Sequence, residues 1–408
     1  MEEPPQLARL YNFLQLQAEQ VDSPFPMAVL SDLPPEILTI IFHYLPPSAF
    51  VSTCLVSKQV YKACLPPLYA SFKGSGDAKQ SWRRFQLFLN MITRDDALGR
   101  HVKSVLINET DDYIGDAAVQ ESIGLLPPQA PNIQQFAIPG RPNLLPLLKR
   151  QLAPGGLPLQ QLRDFRCVNC GPEIWEIIHQ FPRLSRLTLR YHSCGPSTLQ
   201  LPVSSLPIEH ILLEGCDLGS QAMCVVIRSC KRLLRFHYRP PLFGQEPFLG
   251  RVPLNAQDIY EALLLHKDHL EEPLVQDHDY RIPYDETPKF GSFADFPSLQ
   301  RLGVDCNTIS VQASLPPNLC SIAIRRCSSS KSADVLLYLA SHPVVEAIQF
   351  DDVDGGAATF FQRSQASGRI RKEIQVHFVS AFAVYARHAG LQNLVNYPLH
   401  WNDPAELR

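Results

Sequence analysis

The sequence predicts an α/β chain: a short helical module near the amino terminus, then an irregular solenoid with parallel strands inside and helices outside. Three observations carry this. An apolar frame of fixed spacing returns ten times between residues 102 and 350. Segments with helical spacing lie between the frames. The 36 prolines among 408 residues cut the chain into short elements with sharp corners, because Pro fixes φ and ends regular structure.

Composition sets the outer bounds. Hydrophobic residues at 45% and charged residues at 19% describe a folded soluble chain. The net charge of -3 gives no basis for broad binding to nucleic acid or anionic membranes. The 11 cysteines are odd in number and scattered through apolar segments, which points to reduced thiols and a cytoplasmic or nuclear location. The opening MEEPPQ lacks the basic start and apolar run of a signal peptide. No stretch approaches the length of apolar sequence that a membrane span needs.

Five parts follow along the chain: an extension over 1–29, a compact helical module over 30–72, a linker helix over 73–99, the repeats over 100–355 and a carboxyl-terminal cap over 356–408. In the module, Pro34 and Pro35 open a helix, where a missing N–H costs nothing. Glu36 suits the positive end of its dipole. Apolar residues at 37, 38, 40, 41, 42, 44 and 45 cover more than one face, so the helix needs cover on both sides. Pro46-Pro47 breaks the chain. A second helix is expected from about Ser48 to Val56 and a third from Lys58 to Cys64.

The repeated frame is clearest at Leu162-x-x-Phe165-x-Cys167-x-x-Cys170, the leucine-rich-repeat pattern L-x-x-L-x-L-x-x-(N/C). It starts at 102, 133, 162, 184, 208, 233, 270, 299, 319 and 345. The frame Leu270-Pro273-Val275 fits badly, because Pro cannot donate to a strand ladder. Pro131, Pro182, Pro297, Pro317 and Pro343 each stand two residues before a frame, where they stop a helix and set up an extended approach to the strand. Residues 173–181, 220–230, 258–266 and 332–342 have helical spacing. Cys167 and Cys170 stand in C-x-x-C, half of many zinc sites. No second such pair exists, and His179 and His192 fit no finger spacing. The frame accounts for both cysteines instead, Cys167 within a strand and Cys170 at the turn, as small buried hydrophobes.

Catalytic signals are missing. The 13 histidines are dispersed, and no G-x-S-x-G, H-E-x-x-H or P-loop occurs. Asp351, Asp352 and Asp354 lack the later glutamate of a calcium loop and read as a solvated turn. No enzyme, cofactor or metal is expected. The loops 240–256 and 276–298 carry Phe243, Phe248, Tyr280, Tyr284, Phe290, Phe293 and Phe296, aromatics suited to anchoring a partner or to tucking back against the repeats. On the open face of the strands the seventh frame position alternates in sign through Arg190, Glu214 and Arg239, which predicts ion pairs across the sheet. Arg166, Arg186, Arg235 and Arg301 outnumber Asp164 and Glu272 in the other columns. A partner with an anionic segment, held around Arg166, Arg186 and Arg235 with Tyr280 and Tyr284 as further anchors, is the matching expectation.

Residues 30–72 resemble the F-box. The resemblance rests on Leu33-Pro34-Pro35-Glu36-Ile37, apolar Ile41 and Leu45, then Leu55-Val56-Ser57-Lys58 and the tail Leu68-Tyr69. One departure is Val60, where many family members have Trp. Together with the irregular Pro-marked repeats, and with GSFADFPSLQRLGVD at 291–305, the chain is similar to fungal F-box/leucine-rich-repeat proteins. That resemblance implies a substrate receptor of an SCF-type cullin–RING ubiquitin ligase. It would dock to a Skp-type adaptor, and through it to cullin, by Leu33, Pro34, Ile37, Ile41, Leu55 and Val56. The repeats would hold a protein substrate. The alternatives are an F-box scaffold acting outside a ligase and a plain repeat binding protein.

Overall fold

The computed structural model describes residues 33–45, 53–55, 57–74, 78–107, 117–139, 148–149, 159–192, 199–241, 254–276, 288–305, 308–310, 314–325, 338, 347–351 and 375–379. Helix α1 (Pro35–His43) and helix α2 (Lys58–Tyr69) form the amino-terminal module. Ser57 caps α2 by accepting the Val60 N–H. Of the second expected helix, only Thr53 to Leu55 is described. The third was expected to stop at Cys64, but α2 runs on through Pro66 and Pro67. Leu65 and Tyr69 pack against the main core of the chain, and that burial outweighs the two backbone bonds the prolines forfeit.

Helix α2 leads directly into the sheet. Twelve strands stand side by side in chain order, all parallel: β1 (Ser71–Lys73), β2 (Ser104–Leu106), β3 (Gln135–Pro139), β4 (Asp164–Val168), β5 (Arg186–Arg190), β6 (His210–Glu214), β7 (Arg235–Arg239), β8 (Glu272–Val275), β9 (Arg301–Asp305), β10 (Ser321–Arg325), β11 (Ala347–Asp351) and β12 (Gln375–Val379). The register joins like frame positions: Phe136, Phe165, Leu187, Ile211, Phe236 and Pro273 are successive partners across the ladder. From β1 to β10 every step also repeats one hydrogen-bond motif. The carbonyl at the second frame position accepts the N–H groups of the second and third positions of the next unit, as Arg163 does from Ser185 and Arg186. Pro273 does not prevent pairing on either side of β8, because its side of the ladder loses only one donor.

The prolines before the frames do something other than extend the chain. The first frame residue donates back three residues, Leu184 to the Phe181 carbonyl and Leu299 to the Phe296 carbonyl. Pro182 and Pro297 therefore occupy the second place of a β-turn, for which their fixed φ is suited. Pro343 lies outside the described residues.

Between strands lie α3 (Ala78–Arg94), α4 (Asp96–Gly99), α5 (Ala117–Gln129), α6 (Ile174–Ile178), α7 (Ser220–Ser229) and α8 (Ala256–Leu263), which continues as a 3-10 turn over Leu264–His266. The last three fall on segments read as helical; that at 332–342 is described only at Tyr338. Inside the segment expected as a linker helix, α3 buries Phe85, Leu89 and Ile92 in the same core as the strands. The first, fourth and sixth frame positions form the rest of that core; Leu162, Phe165, Cys167, Leu184, Leu187 and Leu189 are all buried. Phe290, Phe293 and Phe296 turn inward; Phe293 and Phe296 pack with Tyr260 and Phe290 packs with Phe293, so this part of the second aromatic loop is core.

Candidate functional site

Two surfaces can act on partners. The first is the helical module. Its own core consists of Leu38, Phe42, Val60, Ala63 and Cys64, with Leu33, Ile41, Leu45, Cys54 and Leu68 packed around it. Burial and the neighbouring Cys54 push the Cys64 thiol up to about 12. Pro34 is the cap residue of α1 and Pro35 its first helical residue, where a missing N–H has no intrahelical partner to lose. The apolar residues of α1 then divide by helical spacing. Leu38 and Phe42 face in. Ile37 (38% exposed), Ile40 (51%) and Tyr44 (49%) form an outer stripe, three and four residues apart. Leu55 adds a side chain that is 83% exposed. An exposed run of large apolar side chains of this kind is the pattern of a face suited to being covered.

An F-box-like family model matches residues 30–72. The chain thus carries an F-box-like domain there, and F-box domains generally bind Skp-type adaptors. A comparison with curated proteins returns no match. Of the residues expected to dock, Ile37 and Leu55 lie on the exposed face of this domain, Pro34 is exposed beside them, and Leu33 and Ile41 are half-buried supports. Val56 lies outside the described residues. Ile40 and Tyr44, which the sequence reading did not single out, are exposed on the same face. Val60, where many F-box sequences have Trp, is fully buried in the module's core.

The second surface is the open face of the sheet, lined by the third, fifth and seventh frame positions. Arg166 donates twice to Asp164 on its own strand. Arg186 stands opposite Asp164 in the β4–β5 register. Arg235 is 3.7 Å from Glu272 and 4.0 Å from Glu271. The three arginines are thus spread over β4, β5 and β7, each beside acidic groups. Glu272 is the hub of the face. Its carboxylate is 3% exposed and meets His237 at 3.1 Å and Arg301 at 2.6 Å as well as Arg235. Burial works to raise its pKa, yet His237, Arg301 and Arg235 together hold it below the ordinary glutamate value. The predicted cross-sheet row is present on β5–β7: Glu214 is 2.8 Å from Arg190 and 3.9 Å from Arg239. Tyr280 and Tyr284 lie outside the described residues.

The strand ends hold a feature the sequence frame hid. At the ninth frame position, Cys170, His192 and Cys216 form a buried column. His192 takes the place usually given to Asn or Cys. Its Nδ1 donates to the Cys170 carbonyl at 2.7 Å, and its Nε2 accepts from the Trp175 indole at 3.1 Å, so both ring nitrogens are engaged. Cys167 and burial raise the Cys170 pKa, and burial pushes the Cys216 thiol up to about 12. These are unreactive packing thiols. Among the described residues no group of three or more His, Cys, Asp or Glu could hold a metal ion.

Proposed function

We propose that this chain is a non-catalytic substrate-recognition subunit of an SCF-type cullin–RING ubiquitin ligase, working in the cytoplasm or nucleus. The F-box-like domain docks to the Skp-type adaptor through Leu33, Pro34, Ile37, Ile41, Leu55 and Val56, with Ile40 and Tyr44 completing the apolar stripe. The carrying observation is that stripe: exposed isoleucines and a tyrosine on a domain that already has a closed core of its own. The parallel array is read as an irregular leucine-rich-repeat solenoid of the fungal kind, supported by the frame-matched register and the repeated carbonyl motif. Its open face, with Arg166, Arg186 and Arg235, holds a protein substrate. Helix α2 joins the two by sharing side chains with both cores.

The test is co-purification of full-length chain and its Ile37→Asp variant. Wild type should bring down a Skp-type adaptor and cullin; the variant should lose both while keeping its thermal unfolding transition. Adaptor without cullin would indicate a scaffold outside a ligase. Unchanged adaptor capture by the variant would refute the docking assignment.

A further inference from the structure

Helix α3 has two unlike faces. Phe85, Leu89 and Ile92 enter the core of the sheet, with Trp82 and Phe88 packed against it. The opposite face runs through Lys79, Arg83, Leu87 and Met91, all exposed and one helical turn apart, and closes at Arg94. Leu87 is 59% exposed and Met91 40%. This face therefore has an apolar centre and cationic ends. The helix holds no acidic residue. Neither does α2, whose Tyr69 ring lies 6.1 Å from that of Phe88. Among the described residues Lys79, Arg83 and Arg94 enter no ion pair. Asp95, the next residue, caps α4 by accepting the Ala97 N–H.

Large apolar side chains flanked by exposed positive charge suit a cover that is apolar in the middle and acidic at its ends. Residues 1–32 lie outside the described residues, and their sequence matches that need. Leu7, Leu10, Tyr11 and Leu14 have the spacing of one helix face, with Phe13 and Leu16 off it. Glu2 and Glu3 precede this stripe, and Glu19 and Asp22 follow it. Arg9 is the one basic residue before Leu33. Pro4 and Pro5 follow Glu3, the order that suits a first helical turn. The 17 residues of α3 make a helix about 25 Å long. A helix over 3–19 has the same length, so its Glu3 and Glu19 ends fall opposite the cationic ends of α3.

We propose that residues 3–19 bind the outer face of α3 as an amphipathic helix, laying Leu7, Leu10, Tyr11 and Leu14 over Leu87 and Met91. The tether permits it. Gln59 donates to the Leu33 carbonyl at 3.2 Å, which fixes the start of the module at the first turn of α2. From there α2 runs about 15 Å to Tyr69, whose ring stacks on Phe88 of α3. Residues 20–32 reach about 40 Å when extended, more than this path requires. The bound segment forms a strap from the helical module to the first strands of the sheet, a second tie beside α2.

Hydrogen exchange of the full-length chain tests this, with a synthetic peptide of residues 1–21 as the rate reference. Amides of residues 7–18 should exchange at least about tenfold more slowly in the chain than in the peptide. Leu87→Asp with Met91→Asp should return them to the peptide rate. Both positions are exposed, so the melting temperature and the protection of α3 itself should stay. Lys79→Glu with Arg83→Glu should reduce the protection several-fold, and high salt should act in the same direction. Exchange at the peptide rate in the unaltered chain overturns the proposal. So does protection that survives Leu87→Asp with Met91→Asp, which would place the segment elsewhere. Protection that rises with chain concentration, with a dimer in light scattering, would give the α3 face to a second copy and overturn the intramolecular strap. Binding of the chain to phosphatidylcholine–phosphatidylserine vesicles, with protection of residues 7–18 only when vesicles are present, would assign the segment to lipid and overturn it as well.

Discussion

The F-box-like domain and the sheet treat apolar residues in opposite ways. In α1, Leu38 and Phe42 are fully buried while Ile37, Ile40 and Tyr44 remain at the surface. In the sheet, Leu184, Leu187 and Leu189 are all buried, and the outward positions of that strand are Arg186, Thr188 and Arg190. The domain leaves an apolar face uncovered, whereas the sheet balances its face with ion pairs. A small domain has little surface to spare, so uncovered isoleucines next to a closed core point to a covering partner. The open face of the sheet is instead satisfied within itself, its charges paired strand to strand.

The same charge placed in each region gives the largest contrast. Leu187→Asp puts a carboxylate into the dry core and should cost more than about 4 kcal/mol, seen as loss of the cooperative unfolding transition. Leu55→Asp puts it on an exposed position and should change stability by less than about 1 kcal/mol, yet abolish adaptor capture. If Leu55→Asp unfolds the protein, or captures adaptor normally, the contrast between the two regions fails.

Within the sheet face, depth should decide what an ion pair contributes. Glu272→Ala strips the carboxylate from three cationic partners at a buried site, and should destabilise by about 3–5 kcal/mol. Glu209→Ala removes a partner of Arg232 from a pair whose side chains are 55% and 35% exposed; its effect should stay below about 1 kcal/mol. Urea unfolding of both variants measures the two. Equal losses would mean that Glu272 is hydrated in solution and that the hub is an ordinary surface pair.

Gly215→Ala comes next. Its φ of 64 disfavours a side chain, and the new Cβ would press on the Tyr191 ring. The expected loss is about 1–2 kcal/mol. Gly219, with nothing near its would-be Cβ, is the control and should tolerate Ala. Thermal unfolding separates them.

Most of the sheet was legible because each frame reports three buried positions on one strand. Two strands escaped. β1 has Tyr69 and Gly74 in the first and sixth places and falls in the tail of the F-box resemblance; β12 would need Glu373 in the first place. Neither shows enough apolar character to register, and both pair only on one side. The bad fit at Pro273 misled in the other direction, since a frame position can lose its donor and keep its place in the ladder. The exposed apolar stripe was half legible. The seven apolar residues from Ile37 to Leu45 could not be divided into inner and outer sets until the partner helix fixed which side was inner. His192 was hidden because the frame's ninth position is read as Asn or Cys, and an imidazole fulfils the same duty with two ring nitrogens.

The smallest expected effect is a pH dependence confined to the sheet side. His266 is buried, donates from Nε2 to the Ile227 carbonyl at 2.9 Å and accepts the Leu233 N–H at Nδ1. Burial holds its pKa below the ordinary 6.5. The unfolded chain therefore binds this proton more readily than the folded one. Its contribution to stability is complete above 6.5 and is lost as pH falls through the folded value. Glu272 acts in the same direction but lower, because its pKa lies below the ordinary 4.5. Unfolding free energy should thus begin to fall just below pH 6.5 in wild type, and the decline in that first window should vanish in His266→Gln. Glu272→Gln should leave the first window intact and flatten only the more acidic one. A His266→Gln profile parallel to wild type between pH 6.5 and 5 would show that this imidazole charges in place, and that the Ile227 carbonyl can hold it as a cation.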